Sequence, residues 1–280
     1  MKYRALITGA TGFVGGYVAE CLHAEGWHVS AVVRSTSKRD VLPPTVRDDM
    51  QFYDADQMPL LEIVRTAAPD VVFHLATYYT TEHSPAEIDA LISANITFGT
   101  KLLDAMAQHG VQNFVYARSS WQYYRGDAYE PVNLYAVVRF YESAHDLHSI
   151  RLTLFDTYGE HDRRNKLLAV LPTLAAQGKR LALSEGEQYV DFVHVKDAAR
   201  AFLLAGQYLA EGHIERCGNY AVSSGHAIML KELVRRYELL LGVKFPVDWG
   251  AKPYRAREVM MPWRGGRILP GWERMYKELM

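Results

Sequence analysis

The segment Thr8-Gly9-Ala10-Thr11-Gly12-Phe13-Val14-Gly15 constrains the fold most, because it stands between a short apolar run and a helical repeat. Residues 3–8 read as a buried strand, and residues 13–25 place apolar side chains at helical spacing up to Gly26. Glycines spaced G-x-x-G-x-x-G at such a junction let backbone N–H groups approach a pyrophosphate at the positive end of the helix, where a side chain would intrude. A plain tight turn is the competing reading of the spacing taken alone. Residues 28–33, rich in Val, complete a strand-helix-strand unit.

The alternation continues along the chain. Strands are predicted at 51–53, 70–76, 114–117 and 150–155, and helices at 60–68, 90–110 and 135–147. Alternating strands and helices imply an α/β protein with a doubly wound parallel sheet of Rossmann type. That domain is expected over residues 1–157. After Gly159 the helices at 166–177, 196–208 and 230–241 are separated by Gly, Pro and charge, so residues 158–280 are expected to form mainly a smaller substrate domain, with some segments returning to the sheet.

Composition excludes several function classes. The 31 Lys and Arg balance 32 Asp and Glu, and with a pI near 6.8 no basic surface for nucleic acid or anionic lipid is expected. There is no apolar run of the ~18 residues that a membrane span needs, and the chain enters a strand at once with no apolar leader. Cys21 and Cys217 read as small apolar residues in a reducing compartment. A cytoplasmic protein acting on a small molecule is the expectation.

Cofactor choice is legible after the second strand. Arg34 stands there, 19 positions beyond Gly15, where an acid would bond the ribose 2′-hydroxyl of NAD and a base accommodates the 2′-phosphate of NADP. Arg34, Ser35 and Lys38 favour NADP(H), with NAD(H) as the other option; a solvated basic loop is the alternative. Asp54, after the third strand, is placed to meet the adenine edge, or else serves as a cap or an exposed carboxylate.

Further segments add to the glycine turn in collinear order: His74-Leu75-Ala76-Thr77, Asn95 with Gly99-Thr100, Ser119, Tyr135, Phe155-Asp156-Thr157-Tyr158-Gly159, Asp191-Phe192-Val193-His194-Val195-Lys196-Asp197 and Asn219-Tyr220-Ala221-Val222. On these residues the chain resembles the extended short-chain dehydrogenase/reductase family, the sugar-nucleotide epimerases, dehydratases and reductases. Ser119-Ser120-Trp121-Gln122, the segment 131–136, Gly186-Glu187-Gln188 and the segment 253–260 look most like its CDP-abequose/CDP-paratose synthase type, which reduces a 4-keto-6-deoxyhexose on a nucleotide.

The resemblance implies a nucleotide-sugar substrate, a homodimer paired through helices 90–110 and 135–147, and a set of site residues. Those implied to hold the cofactor are Gly9, Thr11, Gly12, Phe13, Val14, Gly15, Arg34, Ser35, Asp54, Ala55, Leu75, Ala76, Thr77, Asn95, Tyr135 and Arg139. Those implied to meet the substrate are Ser120, Trp121, Asp156, Arg255 and Arg257, the two arginines suiting a diphosphate by bidentate contact; a surface charge run is the alternative for that pair. Ser119, Tyr135 and Arg139 are the implied catalytic residues.

The chemistry fits these residue types. Ser119 lies at the C-terminal end of a predicted strand, where open α/β sheets bind ligands, and its hydroxyl can hydrogen-bond a developing alkoxide. Tyr135 can donate its phenolic proton if its pKa is brought down from about 10. Strand-end cap and half-buried aromatic are the structural alternatives for the two. The family's Tyr-x-x-x-Lys is here Tyr-x-x-x-Arg, and Arg139 can supply a positive field but relays no proton. Ser120-Trp121 occupies the places where the family's dehydratases carry a carboxylate pair, which argues against 4,6-dehydration. The expected activity is NADPH-dependent 4-ketoreduction. A nucleotide-sugar 4-epimerase, or a catalytically impaired nucleotide-binding protein carrying Arg139, are the alternatives. His74, His161 and His194 have no metal-ligand spacing with the cysteines and read as framework residues, so no metal is expected.

Overall fold

The fold is known from a computed structural model that describes residues 2–80, 84–123, 147–164, 166–213, 217–255 and 257–277. The first half alternates as the periodicity predicts, with the short helix α2 added to it: β1 (Arg4–Thr8), α1 (Phe13–Ala24), β2 (His28–Val33), α2 (Pro44–Arg47), β3 (Gln51–Asp54), α3 (Leu60–Ala67) and β4 (Val71–His74). Then α4 (Ile88–Ile92) passes through a single π turn, Ser93–Thr97, into α5 (Phe98–Gln108), which leads to β5 (Asn113–Ser119). The later strands are β6 (His148–Leu154), β7 (Asp156–Tyr158), β8 (Leu181–Ala182), β9 (Tyr189–Val190), β10 (Phe192–His194), β11 (Cys217–Val222), β12 (Ile228–Met229), β13 (Val247–Asp248) and β14 (Arg267–Ile268). The later helices are α6 (Leu167–Ala176), α7 (Val195–Ala210) and α8 (Leu230–Leu241).

Eight strands form one sheet in the order β14-β11-β6-β5-β4-β1-β2-β3. The pairs β2–β3, β1–β2, β1–β4 and β4–β5 are all parallel. Strand order reverses between β1 and β4, the switch point at which doubly wound sheets open a crevice for ligands. The fold class is therefore the α/β doubly wound sheet that the alternation predicts. β11 and β14 join it from the last third of the chain.

The chain divides into two compact units, one of residues 1–118, 133–153 and 199–220, the other of residues 119–132, 154–198 and 221–280. In the first, Leu6, Val72 and Phe114 from three neighbouring strands pack with Ile63, Val64, Leu102 and Met106 from α3 and α5. Burial of those apolar faces, at about 25 cal/mol per Å², drives the layering. Helix α1 buries Gly15, Val18, Ala19 and Leu22, the i, i+3, i+4, i+7 stripe expected of a helix laid on a sheet. In the second unit Leu168, Leu230 and Leu233 pack with Tyr158, Phe192 and Trp249.

Three predicted elements differ in detail. The helix predicted over 90–110 is broken by the π turn, which carries Asn95. The strand predicted over 70–76 ends at His74, because Leu75 N–H and Ala76 N–H are taken by the carbonyl and hydroxyl of Thr8. The strand predicted over 150–155 begins at His148 and ends at Leu154, and β7 pairs instead with β10 in a separate two-stranded sheet.

Candidate functional site

The glycine turn follows β1 and meets the end of β4. Gly9 has φ of +79°, a left-handed conformation, and a Cβ there would lie 2.7 Å from the Ala76 nitrogen. A Cβ at Gly15 would lie 2.1 Å from the Gly9 carbonyl oxygen. Neither position accepts a side chain, so the loops after β1 and β4 close to backbone contact only with glycine present. Gly12 caps α1 with its backbone; it makes no side-chain cap, and the first turn of the helix holds no acidic residue. First-turn N–H groups of a helix have no intrahelical acceptor, and the positive end of the dipole favours an anion there. The turn thus makes a cradle with the backbone shape and the positive helix end that suit the pyrophosphate of a dinucleotide.

Thr8 and His74, adjacent on β1 and β4, brace the floor of that cradle. The Thr8 hydroxyl oxygen accepts the Ala76 N–H at 3.3 Å and lies 2.7 Å from His74 Nδ1. The His74 ring stacks between Phe98 and Phe114. Burial among these groups pushes the imidazole down to about 4, so it is neutral near pH 7. His74 thus holds the framework beneath Leu75 and Ala76. Beyond them Asn95 grips the chain with both ends of its amide: Oδ1 accepts from Tyr78 N–H at 2.8 Å and Thr77 hydroxyl at 3.0 Å, and Nδ2 donates to the Tyr78 carbonyl. The predicted cofactor residues Leu75, Ala76, Thr77 and Asn95 therefore form one braced strip, and the π turn is what presents Asn95 to it.

Arg34 is exposed just beyond β2. Its N–H donates to Ser37 Oγ, and Ser37 N–H returns to the Arg34 carbonyl. Ser35 is bound on both of its donors: its hydroxyl donates to Asp54 Oδ2 at 2.7 Å and its N–H to Asp56 Oδ2 at 2.9 Å. Asp54 Oδ1 in turn accepts the Asp56 N–H, and Ala55 N–H donates to the Val33 carbonyl. Asp54 is thus already a ligand of its own loop. Asp56 escapes notice in the sequence; an acid two residues beyond a strand end was its only signal.

In the second unit, Ser119 ends β5 and caps a short 3-10 turn, its Oγ accepting the Trp121 N–H at 3.2 Å. Ser120 is buried, and Tyr123 stacks on Trp263 with ring centroids 4.1 Å apart. Asp156 accepts from Lys166 Nζ at 2.7 Å, both side chains mostly buried, so this substrate candidate carries an ion pair that the sequence did not disclose. Arg255 and Arg257 are exposed, and the Arg255 N–H donates to Glu258. Tyr135 and Arg139 lie outside the described residues. Among the described residues no helix is long and apolar enough to cross a membrane.

Comparison with known proteins gives the same outline. The chain is 24 % identical over 287 aligned residues to a CDP-abequose synthase of Salmonella typhimurium, covering 98 % of this chain and 94 % of the relative. It is also 24 % identical to a UDP-glucose 4-epimerase of Streptococcus mutans serotype c, covering 88 % of this chain and 84 % of the relative. Among solved structures, UDP-glucose 4-epimerase from Brucella ovis in complex with NAD superposes with a TM-score of 0.83 at 22 % identity, covering 98 % of this chain and 94 % of that one. MoeE5 in complex with UDP-glucose and NAD superposes with a TM-score of 0.80 at 22 % identity and the same coverage. The family model of the NAD dependent epimerase/dehydratase family matches residues 5–218. With its glycine cradle, its reversal of strand order between β1 and β4 and that match, the chain belongs to the NAD dependent epimerase/dehydratase family.

Proposed function

We propose that this chain reduces the 4-keto group of a nucleotide-linked 4-keto-6-deoxyhexose with NADPH as reductant. The observation that carries the reading is the state of Ser119. Its oxygen already accepts the Trp121 N–H, which leaves its own O–H to donate to a carbonyl oxygen. Ser120 and Trp121 follow it where a dehydrating site would need a carboxylate pair, so the residues beside Ser119 hold no group to withdraw a sugar proton. The likeness to CDP-abequose synthase along nearly the whole chain supports a deoxyhexose.

When bound, the reduced nicotinamide supplies the electron pair and the hydrogen that reduce the carbonyl carbon. The chain's own residues do the rest. Ser119 polarises the carbonyl and stabilises the developing alkoxide. Tyr135 donates the proton that completes the alcohol, and the Arg139 cation favours the phenolate left behind. The substrate contacts are Ser120, Trp121 and Asp156 at the sugar, with Arg255 and Arg257 at the diphosphate. Arg34 draws the 2′-phosphate of NADP(H). The protein acts in the cytoplasm as a homodimer.

A second reading, 4-epimerisation with retained NAD, is favoured by one observation: the carboxylates of Asp54 and Asp56 stand at Ser35, beside Arg34. One assay separates the two. The protein is incubated with NADPH and CDP-, dTDP- and UDP-linked 4-keto-6-deoxyhexoses, and cofactor oxidation is followed with product stereochemistry. Stoichiometric NADPH oxidation is expected. Interconversion of UDP-glucose and UDP-galactose without net cofactor consumption would replace the reductase reading with the epimerase one.

A further inference from the structure

We infer that Asp56, together with Asp54, is a cofactor-specificity residue that restrains the choice of NADP(H). The inference rests on the dinucleotide reading of the glycine cradle and not on the reaction assigned to it. The loop after β2 faces the ribose 2′ position in a doubly wound sheet, and a 2′-phosphate is held there by whatever donors the loop offers. This loop carries an Arg followed by a Ser, a pairing that offers a guanidinium, a hydroxyl and a backbone N–H within two residues. Such a set suits a phosphate with several acceptor oxygens.

Two of these donors are spent within the protein. The Ser35 O–H goes to Asp54 Oδ2 at 2.7 Å and the Ser35 N–H to Asp56 Oδ2 at 2.9 Å. Asp54 Oδ1 accepts the Asp56 N–H at 3.0 Å, so the two acidic residues and Ser35 close into a single hydrogen-bonded knot. The carboxylates occupy the donors that phosphate oxygens would use, and they add negative charge beside Arg34. A 2′-phosphate must therefore bind through Arg34 against two neighbouring anions, or displace a carboxylate from Ser35. A 2′-hydroxyl faces neither cost. NADP(H) is then preferred only narrowly, NAD(H) is admitted, and the ratio is set by the acids working against the arginine.

Asp56 is the cleaner residue to test, because Asp54 also holds the Asp56 backbone. The parent, Asp56→Asn and Asp56→Ala are titrated with NADPH and with NADH, following nicotinamide fluorescence or heat, and each variant's melting temperature is recorded. The parent should bind the two cofactors within about tenfold of each other. Asp56→Ala, which releases the Ser35 N–H and removes a charge, should tighten NADPH about tenfold and leave NADH within about twofold. Asp56→Asn, which removes the charge and keeps an acceptor, should give a smaller gain. An NADPH-to-NADH affinity ratio unchanged in both variants, with melting temperatures near the parent's, would overturn the inference alone. Binding of neither cofactor by any of the three proteins would overturn it together with the dinucleotide reading. Keto-sugar turnover does not enter these measurements, so failure of the reductase reading is read separately.

Discussion

The ring of Tyr276 lies flat on the imidazole of His194, with centroids 4.2 Å apart and planes 19° from parallel. Tyr158 meets the same imidazole edge-on, and Lys196 Nζ stands over the Tyr276 ring. One turn further, the fully buried carboxylate of Asp197 accepts the N–H groups of Met275 and Tyr276, while the Trp272 indole N–H donates to the Asp197 carbonyl. The start of α7 thus holds residues 272–276 by backbone and ring contacts together. A buried charge is tolerated because each of its oxygens has a donor.

Replacing that carboxylate should release the segment. Asp197→Ala leaves two backbone donors without their acceptor and is expected to cost on the order of 3 kcal/mol. Asp197→Asn, which keeps one oxygen, should cost less. Thermal melts read the difference, and limited proteolysis reads cleavage near 272–276. A melting temperature unmoved by the alanine variant would show that the segment is held by its rings alone.

Gly15→Ala should damage both stability and cofactor binding, because the new methyl would sit 2.1 Å from the Gly9 carbonyl oxygen. Overpacking of this kind costs about 1 to 3 kcal/mol. The displaced turn should also weaken dinucleotide binding tenfold or more. Calorimetric titration of the purified variant checks this, and parent-like affinity would mean that the turn shifts without altering the cradle.

His74 predicts a pH dependence of stability with a definite sign. Its folded pKa, about 4, lies below the ordinary 6.5. Between these values the unfolded chain binds a proton that the folded chain refuses, so this contribution is fully present above pH 6.5 and is lost as pH falls towards 4. The loss is at most about 3 kcal/mol. His74→Asn should flatten the fall in urea midpoint between pH 7 and 4.5 relative to the parent. Parallel curves for the two proteins would contradict the neutral, half-buried imidazole.

At the proposed reacting centre, Ser119→Ala should lower turnover about 10²- to 10³-fold, the usual effect of removing one donor to a developing oxyanion, with cofactor affinity within a few-fold. Arg139→Lys asks a different question. A site packed around the planar guanidinium should lose activity on that change, whereas a much faster lysine variant at equal stability would mark the arginine as a lesion.

Six strands of the sheet were legible as short, mainly apolar runs between glycine and charge, whereas β11 and β14 were not predicted as strands; the glycine turn was legible because only glycine permits it. Ser119 was named by the family resemblance and lies two residues beyond the predicted strand. Asp56, Lys166 and the hold of Asp197 on the tail were not readable, since each works through partners 10 to 79 positions away that no local pattern announces. The break in the 90–110 helix was hidden for a similar reason. Residues 93–97 carry nothing that forbids a regular helix, and the π turn is seen only with the 77–78 strip that Asn95 holds.

That turn also makes the length of this helix a setting rather than a detail. A π turn holds one residue more than the α-helical path it replaces, and each residue advances an α-helix by about 100°. Deleting a single residue between Ser93 and Thr97 would let α4 and α5 fuse into one regular helix. The cores that Leu102, Leu103 and Met106 bury would keep the C-terminal part in place. Because the π turn already absorbs that residue, both flanks would stay nearly in place, and what would be lost is the widened turn that presents Asn95 to Thr77 and Tyr78. The residue count between Glu87 and Phe98 therefore decides whether Asn95 stands on a widened turn, whichever amino acids fill the rest of the segment.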